Sequence, residues 1–157
     1  MPQRPVYLTP EGYARLQAEY DYLVKARRQE VARRLHAALE EGELIENGEL
    51  EEARREQAFV EGKIAELEEQ LRHAVIIDAP QGEQGTIALG SQVTVQEEGA
   101  DAVEVYHIVG FAEADPRVGK ISNESPLGKA LLGKRAGDEA IVHAPAGDIV
   151  FHILKVE

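Results

Sequence analysis

Apolar residues in the first half of the chain recur three and four positions apart, the spacing of one face of a helix. A second, more regular stripe begins at Leu50 and ends at Ala74, with Gln57 as its polar position. The first stripe shifts slightly midway, and its members are Leu16, Tyr20, Leu23, Val24, Val31, Leu35 and Ala38. The pattern predicts two long helices, the second with the seam of a coiled coil.

The start and stop signals of these helices predict a hairpin. Thr9 followed by Pro10 is typical of a helix N-cap and first turn, Gly42 suits the end of the first helix, and Asn47 is the better N-cap candidate for the second. Since about six residues separate the two stripes, the helices should fold back as an antiparallel coiled coil. Because the two arms then bury each other's apolar faces, we expect a monomer rather than a self-associating adaptor.

Beyond Ala74 the period changes to short β-branched runs separated by Gly, Pro and Asp. The segment 125–134, SPLGKALLGK, predicts a short helix with Ser125 as its cap and Pro126 in its first turn. The predicted strands lie at 75–77, 86–90, 91–95, 103–110, 139–144 and 148–156. The sequence therefore predicts an α+β protein, with a hairpin over residues 1–77 and a small β-rich domain with one short helix over residues 78–157.

Composition excludes several classes of function. A formal net charge of -12 argues against sequence-independent binding to nucleic acid, which depends on Lys and Arg neutralising phosphates. The absence of cysteine excludes thiolate metal sites and cysteine nucleophiles. The N-terminus has no signal-peptide core and no segment approaches the apolar length of a membrane span, so we expect a cytoplasmic protein with no membrane partner.

Residues 40–52, where the two helices should meet, contain seven glutamates and no lysine or arginine. Three of them, Glu49, Glu51 and Glu52, would favour the positive end of the second helix, as in any solvated helix terminus. Near the C-terminus of the first helix, Glu40 should instead cost roughly 0.3 to 1 kcal/mol. Helix stability alone therefore does not account for this acidic segment.

Four separated segments carry a resemblance to a known family. The segments GELIENGELEEARREQAFVEGKIAELE, YHIVGFAEAD, ISNESPLGKALLGK and AGDIVFHILKV resemble, in order and spacing, the bacterial transcript-cleavage factors of the GreA/GreB family. The resemblance implies that the second half has a fold like that of FK506-binding proteins and docks on bacterial RNA polymerase. It also implies that the hairpin enters the polymerase's secondary channel and stimulates the polymerase's own cleavage of backtracked RNA, so that the chain is an accessory factor and not an enzyme.

By this resemblance the hairpin tip supplies carboxylates to the polymerase active centre. The family's pattern, an acidic residue followed three positions later by Glu-Asn, falls on Glu43, Glu46 and Asn47. We expect Glu43 to be a ligand of a Mg²⁺ ion held jointly with the polymerase, and Glu46 to be a second ligand or the base that orients water. Asn47 and Leu50 are the expected support of the tip.

Two further sites follow from the resemblance. Arg54 matches a basic residue near the family's tip and is expected to bind the 3′ end of the nascent RNA, whereas most other arm arginines should pair with glutamates. Residues of the loop before the short helix are expected to dock on the polymerase: Ser122, Asn123, Ser125 and Pro126.

Departures from the family's commonest tip leave alternatives open. Glu43 is one methylene longer than the usual aspartate, Gly48 replaces alanine, and Leu50 stands at a position that is commonly aromatic. The main alternative is a related factor that occupies the same channel and inhibits polymerase. A prolyl isomerase is a third hypothesis, although such a fold does not confer that activity by itself. The five histidines are scattered over separate elements and predict no metal cluster.

Overall fold

This computed structural model describes residues 4–40 and 47–157. The described residues form two compact units, which we call the arm unit (Tyr13–His73) and the sheet unit (the residues up to Gly12 together with Ala74–Glu157). The sequence predicts a single boundary after residue 77. In the structure, the residues before Tyr13 and those from Ala74 to residue 77 belong instead to the sheet unit. The difference arises because β1 (Val6–Leu8) pairs in parallel with β2 (Ala74–Ile76).

The first arm is helical from its start to its end. The Thr9 hydroxyl accepts a hydrogen bond from the Gly12 amide at 3.0 Å, which is the predicted N-cap. Helix α1 (Pro10–Tyr22) continues into a π-helical turn (Leu23–Arg27) and then into α2 (Arg28–Glu40).

The second arm, α3 (Gly48–Arg72), runs antiparallel to the first. The pairs that cross between the arms show the direction, since Arg28 meets Glu61 whereas the earlier Tyr20 meets the later Glu68. The predicted helical hairpin is confirmed.

The interior of the arm unit follows the predicted stripes. Val31, Val60 and Ile64 are buried together, with Leu23 and Val24 packed partly against them. The π-helical turn inserts one extra residue into the helical repeat, which explains why the stripe of the first arm shifts between Val24 and Val31.

The sheet unit contains a five-stranded sheet of order β5-β4-β3-β7-β6. Its neighbouring strands are antiparallel except for β4 and β5, which are parallel. Helix α4 (Pro126–Leu131) connects β5 to β6. The strands are β3 (Gln92–Glu97), β4 (Glu104–Val109), β5 (Lys120–Ser122), β6 (Glu139–Ala144) and β7 (Gly147–Val156).

One face of this sheet and α4 enclose the core. Alternation along β3 buries Val93 and Val95, while Gln92 is exposed and Thr94 and Gln96 are half-buried. The core consists of Ile87, Val93, Val95, Ile108, Ile121, Leu131, Ala140, Phe151 and Ile153. The predicted α+β class is confirmed.

Residues 86–90, predicted to be a strand, form only an isolated bridge at Thr86. A local turn replaces the strand, because the Ala88 amide donates to the Ser91 hydroxyl at 2.9 Å and Gly90 adopts a φ of +96°. Nowhere in residues 4–40 or 47–157 does a helix combine the length and apolar character needed to cross a membrane.

Candidate functional site

Asn47 connects the two arms at the end of the hairpin. It is the N-cap of α3, and its side-chain oxygen accepts a hydrogen bond from the Leu50 amide at 3.1 Å. The amide nitrogen of the same side chain donates to the Ala38 carbonyl, in the last turn of α2, at 2.9 Å. One side chain therefore satisfies an orphan donor of α3 and an orphan acceptor of α2, and it holds the two helix ends together.

The two residues predicted to hold the metal, Glu43 and Glu46, lie outside the described residues, as does Gly42. Leu50, predicted as tip support, is 4% exposed and belongs to the arm interior. Among the described residues, no atom beyond the chain neighbours and the local helix backbone lies within 4 Å of the position that a Cβ on Gly48 would take.

The described carboxylates at the two helix ends have ordinary local environments. Glu49 and Glu51 lie in the first turn of α3, where the helix dipole favours negative charge. Glu40 lies 3.1 Å from Nε2 of His36, one turn earlier in α2. Within the described ranges no three His, Asp or Glu side chains converge as a metal site. Carboxylate oxygens are nevertheless the ligands that Mg²⁺ prefers, so the donor chemistry of the acidic segment suits that ion.

Several arm arginines pair across the hairpin, as predicted. Arg27 and Arg34 both reach Glu56, at 3.0 and 2.5 Å, and Arg28 contacts Glu61 through two nitrogens. The hydrogen bond from Arg34 lowers the pKa of Glu56, and the same bond raises the pKa of Arg34. These arginines are engaged in holding the arms together.

Other basic side chains on the arms remain available. Arg54 and Arg55 are exposed on α3 and make no hydrogen bond or ion pair with any described residue. Lys25 and Arg33 are in the same state on the first arm. The structure thus distinguishes the arginines that pair across the hairpin from those that are free to bind a ligand. The sequence alone does not show which arm arginines belong to each group.

The four predicted docking residues lie together in one tight loop. The Ser122 carbonyl accepts from the Ser125 hydroxyl at 2.7 Å, and the Ser125 oxygen accepts from the Gly128 amide at 3.0 Å, as an N-cap of α4. Pro126 is the first residue of that helix, and the Asn123 amide donates to a β4 carbonyl at 2.9 Å. The predicted capping role of Ser125 is confirmed. The short helix and the end of β5 fix the loop from both sides.

A buried carboxylate in the sheet unit was missed by sequence reasoning. Glu113 is 6% exposed, and its Oε1 accepts from the Thr9 hydroxyl at 2.6 Å and the Thr9 amide at 3.2 Å. Its other oxygen is buried without a hydrogen-bond partner among the described residues. The carboxylate leaves so little room that a Cβ on Gly12 would lie 1.5 Å from Oε1. Nothing in the surrounding turn sequence signals this contact.

Both halves of the chain match family models. Residues 6–76 match the model described as transcription elongation factor, N-terminal, and residues 81–157 match transcription elongation factor, GreA/GreB, C-term. Transcription elongation factor GreA of Chloroflexus aurantiacus is 50% identical over 156 residues, covering 99% of each chain. GreA of Streptococcus pneumoniae is 46% identical over 157 residues, covering 100% of this chain and 98% of the relative.

A solved structure is also similar over the full length. The GreA factor homolog 1 protein of Thermus thermophilus is 35% identical, with a TM-score of 0.46, and the match covers 98% of this chain and 99% of that one.

Proposed function

Since this chain belongs to the GreA/GreB family of transcription elongation factors, we propose that it binds a bacterial RNA polymerase and places its hairpin end in the secondary channel. There it stimulates the polymerase's own cleavage of backtracked RNA, as an accessory factor. The observation that supports this proposal most directly is the Asn47 bridge between Ala38 and Leu50. It holds together the end of α2 and the start of α3, the helix ends between which Glu43 and Glu46 lie in the sequence.

The proposed task of the acidic segment is to add carboxylate oxygens to those of the polymerase. Glu43 and Glu46 would hold a Mg²⁺ ion jointly with the enzyme, and such an ion lowers the pKa of an attacking water and stabilises developing negative charge. Mg²⁺ usually keeps several waters and takes one or two carboxylates from a protein. Two glutamates from the factor are therefore sufficient to complete the coordination of a Mg²⁺ ion that the polymerase alone binds weakly. Neither glutamate would be effective alone.

Holding the helix ends matters because catalytic geometry is demanding. A displacement of about 1 Å in a reacting group can cost on the order of a hundredfold in rate. By bonding both arms, the Asn47 side chain limits how far the end of α2 and the start of α3 separate. Gly48 in the first turn of α3 acts in the opposite direction, since glycine raises the conformational freedom of the helix start.

The experiment that tests this function is RNA cleavage in stalled, backtracked elongation complexes. Addition of the protein should shorten the transcript, whereas Glu43→Ala plus Glu46→Ala should bind the complex without cleavage. The matched control is Glu49→Ala plus Glu51→Ala, which removes the same charge from exposed positions in the first turn of α3 and should retain cleavage.

Other outcomes would refute the proposal. Blocked RNA synthesis without shortening would support the inhibitory alternative. Failure of the wild-type protein to shorten RNA at every magnesium concentration would refute the cleavage role, and equal loss in the control variant would refute the assignment to Glu43 and Glu46.

Arg54 is the proposed contact for the RNA 3′ end. Its guanidinium is exposed and unpaired among the described residues, and guanidinium groups bind phosphates well. Arg54→Ala should weaken cleavage and leave the unfolding transition unchanged, whereas Arg33→Ala, at another exposed arginine on the first arm, should cleave normally. Unchanged cleavage by Arg54→Ala would refute this role.

The loop of Ser122, Asn123, Ser125 and Pro126 is the proposed polymerase-docking site. Its internal hydrogen bonds hold the backbone in one conformation, so a partner would bind it at low entropic cost. Pro126 is the exposed member of the set. Pro126→Ala should therefore weaken polymerase binding while the isolated protein keeps its fold.

A further inference from the structure

The two edge strands of the five-stranded sheet differ in how well they are protected. Strand β5 has three residues and begins with Lys120, and a short strand and a lysine are two of the ways in which proteins keep an edge from pairing with another chain. Strand β6 has six residues, contains neither lysine nor proline, and pairs with β7 without a register shift. No described strand pairs with its other side, so β6 presents an open edge.

The backbone groups that face this open edge belong to the residues of β6 with exposed side chains. The Ile153 amide of β7 donates to the Asp138 carbonyl, one position before β6, at 2.9 Å. Because alternate residues of an antiparallel strand bond to the same neighbour, the even-numbered residues of β6 bond to β7. The odd-numbered residues, Glu139, Ile141 and His143, therefore direct their amides and carbonyls outward. All three side chains are exposed as well.

A second copy of β6, laid antiparallel about Ile141, meets the first with matching chemistry. Ile141 then lies opposite the same residue of the second copy, and Glu139 lies opposite His143. A pair of β-branched residues and an acidic residue opposite a basic one are both favourable across strands. On the other face of the sheet Ala140 lies opposite Val142, and both are apolar. The strand thus complements itself in charge and in apolar surface, which favours a second copy over an unrelated extended segment.

We propose that β6 is a self-association surface through which two copies of this chain form a symmetric dimer. Each copy offers the same residues to the other, as a closed two-fold interface requires. Each outward residue donates one backbone hydrogen bond and accepts another, so the sheet continues across both copies. The expectation of a monomer considers only the apolar faces of the arms, whereas this dimer uses a separate surface.

Cysteine cross-linking tests the centre of the proposed interface. The chain has no cysteine of its own, so an introduced cysteine reports contact between copies. Hydrogen-bonded antiparallel partners have Cα atoms about 5.5 Å apart, which lies within the range of a disulfide. Ile141→Cys should therefore form a disulfide-linked dimer under mild oxidation. The matched control is Leu154→Cys on β7, inside the sheet, where the native side chain is 48% exposed against 47% for Ile141, and it should cross-link far less.

A mixture of two variants tests the direction and register of the pairing. In the proposed dimer residue 139 of one copy faces residue 143 of the other, so Glu139→Cys mixed with His143→Cys should cross-link more than either variant alone. A parallel arrangement would place each residue opposite itself. Stronger cross-linking of the separate variants than of the mixture would therefore overturn the antiparallel pairing.

Sedimentation equilibrium measures the association itself. The experiment uses physiological ionic strength, because salt screens the repulsion between two chains of formal net charge -12. The wild type should show a monomer–dimer equilibrium. Ile141→Lys, which places two lysines opposite each other, should weaken it by about 2- to 30-fold, whereas Leu154→Lys should not.

Three results would overturn the proposed dimer. The first is a wild-type protein that stays monomeric up to millimolar concentration. The second is a dimer that Ile141→Lys leaves intact, since the copies would then associate through another surface. The third is equal cross-linking of Ile141→Cys and Leu154→Cys, which would indicate random collision. Because Ile141 is exposed, the circular dichroism spectrum of each variant at this position should match that of the wild type.

Discussion

Gly12→Ala should destabilise the sheet unit, although alanine is the better helix former. A Cβ at this position would lie 1.5 Å from Oε1 and 2.5 Å from Cδ of Glu113, so the carboxyl group must move. Moving it breaks the two hydrogen bonds that Oε1 accepts from Thr9, at 2.6 and 3.2 Å. The displaced carboxylate would also have to remain in a site that is almost closed to solvent.

The magnitude follows from the groups involved. Hydrogen bonds to a charged group contribute about 1.5 to 3 kcal/mol each, and the two bonds to Thr9 share one acceptor, so their loss together should cost about 3 to 5 kcal/mol. Replacement of a helical glycine by alanine returns at most about 1 kcal/mol. The expected net loss in the free energy of unfolding is therefore about 2 to 4 kcal/mol.

The assay is guanidinium unfolding followed by circular dichroism, with amide hydrogen exchange to assign the loss to one unit. The matched control is Gly62→Ala at an exposed position inside α3, where no described atom beyond the chain neighbours and the local helix backbone lies within 4 Å of the added Cβ. That variant should be stabilised by about 0.5 to 1 kcal/mol. The same chemical change should thus have opposite signs at the two positions.

A double-mutant cycle with Glu113→Ala completes the test. In that background Gly12→Ala should cost little, because the atoms that it displaces are gone. The reasoning would be refuted if Gly12→Ala were as stable as the wild type, or if its full cost persisted beside Glu113→Ala.

The other predictions concern the hairpin end, the docking loop and one tyrosine. Asn47→Ala should lower stability by about 1 to 2 kcal/mol, whereas Asn47→Asp keeps the cap acceptor and should lose less, by thermal unfolding. Gly128→Ala should unfold the docking loop locally, since its Cβ would lie 2.0 Å from the Ser122 carbonyl, with faster amide exchange as the measurement. Burial and a hydrogen bond to Glu104 raise the pKa of Tyr106 to about 12. The stability that this shift contributes is complete below the unfolded pKa of about 10 and is lost as pH rises toward 12. The free energy of unfolding of Tyr106→Phe should therefore fall less than that of the wild type over this pH interval.

The hairpin and most of the sheet could be predicted because their signals are local and repeated. The stripe from Leu50 onward sets the helical face, and the alternation through Val93 and Val95 sets the inner face of β3. Asn47 and Ser125 could be identified as caps because a short polar side chain at a helix start has few other uses. Each of these inferences depends on residues that are close together in the sequence.

The remaining features depend on contacts between distant parts of the chain. Glu113 meets Thr9 across 104 positions, and neither residue carries a sign of the other. The strand at Val6–Leu8 becomes visible only when its parallel partner at Ala74–Ile76 is known. In the candidate site, the resemblance supplied Glu43 and Glu46, whereas the identity of the arginines that pair across the hairpin required their contacts with Glu56 and Glu61.

The parallel pairing of β1 with β2 has a consequence for how the length of the protein can evolve. Parallel neighbours cannot be joined by a tight turn and need a crossover of a dozen or more residues, and here the hairpin is that crossover. Above this minimum the pairing sets no upper limit, so seven residues inserted into each arm would extend the hairpin by about 10.5 Å and leave the paired strands intact. Insertions and deletions of whole heptads can therefore change the length of the hairpin without disturbing the strands at its base.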